Sequence, residues 1–441
     1  MTLPNAASLV QAAWFAAAIV LFLVLTARGR MQPFLALVLA GVAFGIGVGL
    51  ATSQIGRAFG TGFGQAIGGL GLVVVGAAMM AELADLSGAS ARLAVRARGW
   101  RRRWPLFWLG GLIAGTAASA PAAFAVLGPL RRALGGGPRA ALRLALAISA
   151  GHGLLLPAPL VIAAVTILAA DWRIALGLGL PAALVAGAAG ALFVGRAPRA
   201  SEAPGEPPGE VFAAPGRGAA ALVVASVVLI ALLVAQSLGD IASEPFGGGS
   251  NREFLLALGR PLVLMLAGLA VLLVLSGRWP LPDCGEAGWP GRAVGKSAGL
   301  LLLVGAAGGL QKLAQETGMA EMNAERLLAW PALGLVLPFA LAAIGKALQG
   351  SSLVAAITAA GMVQPLLAPL GLDDPAGRAL AALAVSAGAM SLSHLNDALF
   401  WLTGEAARLR PAGALRHFTL GTLVQGLAAL GVLYLLRLAT V

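Results

Sequence analysis

The stretch SHLNDALFWL, Ser393 to Leu402, places a histidine, an asparagine and an aspartate inside an apolar segment of membrane-crossing length. A charged side chain at the centre of a bilayer costs about 2.5 to 3.5 kcal/mol even on lenient insertion scales, so polar residues kept there usually line the path of a substrate or ion. His394, Asn396 and Asp397 are therefore the first candidates for function.

The rest of the chain supplies the membrane. Its 441 residues are 59% hydrophobic and 11% charged, with a mean hydropathy of +0.90, far beyond what a water-soluble core requires. This is the composition of an all-α polytopic membrane protein whose partner is the lipid bilayer. The net charge of +12 does not point to nucleic acid, because the basic residues fall in short loops between apolar runs and no basic patch is interleaved with aromatics. Cys284 is the single cysteine, which excludes an internal disulfide and a thiolate metal cluster. No cofactor and no metal are expected. Nor is a cleavable signal peptide, since the first apolar run is long enough to span and has no Lys or Arg before it.

Apolar runs long enough to cross about 30 Å of hydrocarbon extend over residues 8–27, 33–51, 61–86, 140–168 and 173–195, then 219–238, 256–276, 297–316, 376–402 and 415–437. Two further regions, 105–130 and 331–369, are interrupted by small residues at GTAAS (Gly115 to Ser119) and GKALQGSS (Gly345 to Ser352). They read as re-entrant helical hairpins, whose exposed turns are tolerated only where they are buried in protein or line a cavity. The expectation is ten transmembrane helices plus these two hairpins.

LAISAG (Leu146 to Gly151) matches LAVSAG (Leu383 to Gly388), and each lies about 36 to 38 residues after its hairpin turn at Gly115 or Gly350. Residues 1–196 and 219–441 thus form two repeats, joined by a Pro, Gly and Glu-rich linker at 197–218 that is too polar to pack. Five crossings per half is odd, so the second repeat lies upside down. Inverted repeats of this kind place the site of a secondary transporter near the midplane, between broken helices. With the hairpins not crossing, twenty-one Lys and Arg fall on one side, including Arg28, Arg131, Arg292, Lys296 and Arg408, and eight on the other, including Arg173, Arg378 and Arg437. The richer side is cytoplasmic, which puts both termini outside.

Four constellations occupy corresponding places in the halves. They are AGHGLLLPAP (Ala150 to Pro159), SLSHLNDALFW (Ser391 to Trp401) and the two hairpin tips. Gly151, Gly153, Pro157 and Pro159 break the helix beside His152, and broken helices offer N-termini that suit a carboxylate. Each has a structural alternative: Gly and Pro allow close packing or a kink, His152 can be a hydrogen-bonded core residue, and Ser351 and Ser352 can bond back to their own helix. Lys346 either pairs with Asp397 or snorkels. Glu82, Asp85 and Glu405 fall near the ends of crossings and read as solvated.

At these residues the chain resembles the gluconate:proton symporter family, the gluconate permeases, within the ion transporter superfamily. SHLNDALFWLTGE is similar to the family's S-H-V-N-D-x-x-F-W-L-x-x-E at Ser393, His394, Asn396, Asp397, Phe400, Trp401, Leu402 and Glu405. QGSSLVAAITAAGMVQPL resembles the hairpin segment G-S-A-T-V-A-x-I-T-A-x-G-x-x-x-P-L, through Gly350, Ser351, Val354, Ala355, Ile357, Thr358, Ala359, Gly361, Pro365 and Leu366. HGLLLPAP keeps His152, Gly153, Pro157 and Pro159 of H-G-F-x-P-P-H-P. The departures are Ala158 for the family's second histidine, Leu160 and Val161 for Gly-Pro, ASAPAAF (Ala118 to Phe124) for F-Y-E-V-G-F, and Lys346 for an arginine. Lysine is a point charge without a bidentate fork.

The resemblance implies a secondary active transporter of the bacterial inner membrane that moves a small hydroxylated monocarboxylate such as gluconate with a proton. It also implies an elevator-like motion and a homodimer. In that scheme Asp397 and His394 carry the proton, with Lys346 as charge partner, while His152, Gly153, Gly350, Ser351, Ser352, Ser393 and Asn396 bind substrate. No Walker-type loop is present, so the energy comes from an ion gradient. A sodium-coupled carrier of another small anion is the alternative, followed by a proton-coupled D-serine or glycerate carrier. A passive channel, or an intramembrane enzyme using His394 and Asp397, belongs to a different class. The enzyme lacks a paired nucleophile or HExxH pattern.

Overall fold

The computed structural model describes residues 6–28, 30–89, 92–93, 104–134, 137–195, 217–239, 241, 244, 246–276, 284–318 and 334–440. Every regular element among them is helical. The first half runs α1 (Ala6–Ala27), α2 (Pro33–Gly47), α3 (Thr52–Leu86), α4 (Trp104–Gly115), α5 (Ala120–Ala133), α6 (Pro138–Leu154), α7 (Pro159–Ile167) and α8 (Trp172–Gly195). The second runs α9 (Arg217–Gly239), α10 (Ser250–Leu258), α11 (Pro261–Ser276), α12 (Trp289–Glu316), α13 (Val336–Gln349), α14 (Ser352–Val363), α15 (Pro375–Ala389) and α16 (Ala398–Ala406). A π-helical turn, Leu415–Thr419, leads into α17 (Leu420–Thr440). Of the expected linker at 197–218, only Arg217 and Gly218 lie within the described residues, and both belong to α9.

Among the described residues seven helices are long and apolar enough to cross a membrane, or eight if the pair α10 and α11, bent by 62°, is one span. The sequence expectation was ten, and the other two have local causes. Residues 33–51 yield only a 15-residue helix. Residues 376–402 are split into α15 and α16 by the polar run around Ser393 to Asp397. The interrupted regions give helices of 12 and 14 residues on each side of their turns. Large apolar side chains such as Leu192, Val274 and Leu438 stand exposed on the outer helices, the surface that lipid covers in a multi-span membrane protein.

Several helix pairs of the first half have a counterpart in the second. α4 against α6 has its counterpart in α13 against α15, α6 against α8 in α15 against α17, α2 against α12 in α11 against α3, and α5 against α16 in α14 against α7. The repeated hexapeptide explains one match at atomic level. A Cβ on Gly151 would strike the carbonyl of Leu112 in α4, and one on Gly388 would strike that of Phe339 in α13, so glycine ends both hexapeptides where two backbones meet. Serine caps both helices that leave the interruptions, Ser119 accepting from Ala122 N at 3.3 Å and Ser351 from Val354 N at 3.3 Å.

The longest contact joins α3 to α12. Gly62 and Gly308 face each other, each leaving no room for a Cβ beside the other's carbonyl, while Phe59 covers Gly309 and Phe63 covers Gly305. Near one end of this pair Glu82 receives Arg292 at 3.2 Å and Lys296 at 2.8 Å. Glu82 is thus paired and its side chain only 12% exposed, where its place near a helix end had suggested solvation. Arg131 is close enough to Arg408 for the two charges to act on each other. Arg437 binds Asp374 at 2.8 Å and Arg378 donates to Leu168 O at 3.3 Å. The Asp374 carboxyl is held below the usual carboxylate range, first by Gly377 N–H and then by Arg437.

Candidate functional site

The polar run cannot stay helical. From Met390 to Asp397 the chain leaves the α conformation, Leu392 adopts φ 55°, and Asp397 caps α16 by accepting from Leu399 N at 2.9 Å. Ser391, Ser393, His394 and Asn396 are all buried, so the freed backbone groups need partners inside the protein. Thr419 Oγ1 donates to Ser393 O at 2.6 Å, Ser393 N donates to Thr422 Oγ1 at 3.3 Å, and Trp401 Nε1 donates to Leu395 O at 2.9 Å.

Against this loop lies the turn between α13 and α14. Gly350 ends α13 at φ 76°, in the left-handed region, and its N–H closes on Lys346 O at 2.8 Å. A Cβ there would also come within 2.8 Å of Asn396 Cγ, so the turn and the loop fit only with glycine. Lys346 is 2% exposed. Its Nζ donates to Gly350 O at 2.6 Å and to Asp397 Oδ2 at 2.7 Å, an oxygen that also accepts from Ser393 Oγ. Lys346 therefore does not snorkel. It forms a buried, hydrogen-bonded neutral pair that ties the turn to the broken helix.

Beside the pair, Ala347 O accepts from Asn396 Nδ2 at 3.1 Å and lies 2.7 Å from His394 Nε2. Because a carbonyl can only accept, that contact assigns the His394 proton to Nε2. Nδ1 then remains a buried acceptor that no donor among the described residues reaches, as does Asn396 Oδ1, and the ring lies 6.2 Å from that of Phe15. These two unpaired acceptors border a cluster whose fixed charges already cancel.

The first half meets the second here. His152, at the end of α6, donates from Nδ1 to Gly115 O at 2.9 Å, joining the first interruption to the first break, and lies within the electrostatic reach of Lys346 and Asp397. Gly153 packs on Met390, with no room for a Cβ against the methionine's Cγ at 2.8 Å. Ser351 spends its hydroxyl on the α14 cap, and Ser352 is half-buried next to it. Of the residues singled out from sequence, Lys346, Gly350, Ser393, Asn396 and Asp397 form one connected cluster, and the His394 ring joins it through Ala347 O. His152 and Gly153 reach them through Gly115 and Met390. Thr419, Thr422 and Ser237, whose hydroxyl donates to Pro157 O, carry no sequence signal that marks them. Among the described residues no three His, Cys, Asp or Glu side chains converge on a metal-sized site.

Residues 10–439 match the model of a family described as GntP family permease. A gluconate permease of Zymomonas mobilis is 28% identical over 438 residues, covering 94% of this chain and 95% of the relative. A gluconate permease of Pseudomonas aeruginosa is 28% identical over 441 residues, with 95% of each chain covered. The low-affinity gluconate transporter of Escherichia coli is 26% identical over 424 residues, covering 92% and 94%. All three are transport proteins rather than enzymes.

Proposed function

The chain belongs to the GntP permease family, and from that premise we propose that it is a secondary transporter moving a gluconate-like sugar acid with a proton across a bacterial inner membrane. The observation that carries the reading is the buried Lys346–Asp397 pair at 2.7 Å, set where the α13–α14 turn meets the break before α16. The empty site carries no net charge. Protonation of Asp397 frees Lys346 to face a carboxylate, and arrival of the monoanion restores neutrality. Half-loaded states bear one uncompensated charge, which costs several kcal/mol in a dehydrated interior, so only the empty and the doubly loaded site moves readily. Coupling follows from that charge balance. In this reading His394, Asn396, Ser393, Ser351, Ser352, Gly350, His152 and Gly153 shape the pocket for the hydroxylated chain, with the unpaired His394 Nδ1 and Asn396 Oδ1 accepting from its hydroxyls.

The topology belongs to the same proposal: ten crossings and two re-entrant hairpins, in inverted repeats over 1–196 and 219–441, with both termini extracytoplasmic. Helices of 12 and 14 residues flank each interruption. At 1.5 Å per residue they reach about 18 to 21 Å, short of the roughly 30 Å of hydrocarbon. That length and the paired packing of the halves support the arrangement.

The test is uptake of labelled gluconate into proteoliposomes under an imposed pH gradient, then under a sodium gradient at equal pH. Accumulation driven by acid outside, and abolished in Asp397→Asn, supports the proposal. Accumulation that follows sodium and ignores pH selects the sodium-coupled alternative. Entry that never exceeds equilibrium leaves a passive pathway.

A further inference from the structure

The residues between α15 and α16 are held by a helix that none of the site assignments includes. Ser393 is bound at both ends of its backbone by two threonines one turn apart, Thr419 Oγ1 taking its carbonyl at 2.6 Å and Thr422 Oγ1 its N–H at 3.3 Å. Thr422 Oγ1 in turn donates to Thr419 O at 2.8 Å, so the clamp closes on itself. Both threonines are buried. In an ordinary membrane helix a threonine hydroxyl bonds back to its own carbonyl three or four residues earlier. Thr419 instead ends a π-helical turn, Leu415–Thr419, a form found mostly as single turns at functional sites, and its hydroxyl is turned outward to the loop. On the other side of the clamped residue Leu392 is held at φ 55°, a conformation that a branched side chain rarely adopts without outside restraint. What this fixes is the direction of Ser393 Oγ, which donates to the same Asp397 oxygen that Lys346 holds.

We infer that Thr419 and Thr422 are positioning residues for transport: a two-point clamp on the Ser393 peptide that aims its hydroxyl at Asp397 and so sets how readily the carboxylate exchanges Lys346 for a proton. This rests on the proposed site. A clamp that acts through Ser393 becomes irrelevant once the Ser393 hydroxyl is gone, whereas a helix-packing role does not.

The experiment is a double-mutant cycle on gluconate uptake in proteoliposomes, with the pH dependence of uptake recorded for each variant. Thr419→Val removes the donor at nearly constant shape and is expected to lower Vmax/KM about tenfold, the scale of one lost buried hydrogen bond, and to displace the pH profile. Thr419→Ser keeps the hydroxyl and restores both. In a Ser393→Ala background the same Thr419→Val change alters uptake less than about twofold. Should Thr419→Val fail to fold, Thr422→Val, which removes the 3.3 Å acceptor of Ser393 N together with the hydroxyl's own bond to Thr419 O, carries the cycle with a loss of about threefold, again silent in Ser393→Ala. Losses that multiply in the double variant, or an unmoved pH profile, overturn the clamp. Uptake by Asp397→Asn equal to wild type, or no gluconate uptake by wild type, overturns the site reading on which it rests. An inactive Asp397→Asn beside an unaffected Thr419→Val removes the clamp alone.

Discussion

Replacing Lys346 by methionine keeps the unbranched chain up to the position of Cε and removes the ammonium group, leaving the Asp397 carboxylate buried against Ser393 and Leu399 N without the lysine's charge. An unpaired buried carboxylate relieves itself most cheaply by taking a proton. Against an ordinary carboxyl value near 3.9, holding that proton at pH 7 costs about 1.36 × 3.1, or about 4 kcal/mol, and at pH 5 about 1.5 kcal/mol. The first figure falls within the roughly 3 to 5 kcal/mol seen when one partner of a buried pair is removed. The folded variant then holds one proton more than its unfolded chain across this range. Stability relative to wild type therefore falls as pH rises, by about 1.4 kcal/mol per unit between pH 4 and 7. Melting of the purified protein in detergent, measured at each pH unit from 5 to 8 as the difference from wild type, reads the slope directly. Lys346→Met combined with Asp397→Leu removes both charges and should recover most of the loss while remaining inactive in uptake. A deficit that does not change with pH, or a double variant no more stable than the single, would refute the buried-pair reasoning.

Gly151→Ala and Gly388→Ala each drive a Cβ into a facing carbonyl, Leu112 O or Phe339 O, and should destabilise by similar amounts, about 1 to 3 kcal/mol each; melting of the two variants side by side checks it. Gly350→Ala meets both the left-handed φ of 76° and Asn396, so its cost of about 1 to 3 kcal/mol is accompanied by loss of uptake, which the proteoliposome assay reads. Asp374→Ala removes the α15 cap and the tie to Arg437, costing about 0.5 to 1 kcal/mol at neutral pH for this half-exposed group. Its carboxyl is held low, so that contribution is complete above about pH 4 and lost as pH falls through the folded value; melting of variant and wild type should converge in acid.

Much of this was legible in the sequence because the membrane restricts where polar groups go. His394, Asn396 and Asp397 stood out through their cost in an apolar segment, and Gly350 and Lys346 through an interruption that no crossing helix would carry. The two matched hexapeptides marked real contacts, and the reason is now visible: Gly151 and Gly388 are the points where a backbone carbonyl presses on the helix. What remained hidden were residues whose ordinary behaviour is mute. A threonine in a membrane helix gives no sign of whether it bonds back to its own turn or outward, so Thr419 and Thr422 passed unnoticed. The number of continuous spanning helices was less legible for a related reason, since hydropathy measures how apolar a run is and not where its backbone breaks: seven or eight among the described residues are long enough by themselves. The pairing of Glu82 depends on Arg292 and Lys296, more than two hundred residues away.

The seam between α3 and α12 has a consequence for motion. Phe59 seated over Gly309 and Phe63 over Gly305, with Gly62 and Gly308 back to back between them, interlock like the teeth of a zip. Advancing α3 by one residue would bring Phe63 toward the place of Gly62, where no Cβ fits beside Gly308 O. The two helices are thus keyed to a single register along this line, and one can slide past the other only if the seam first opens.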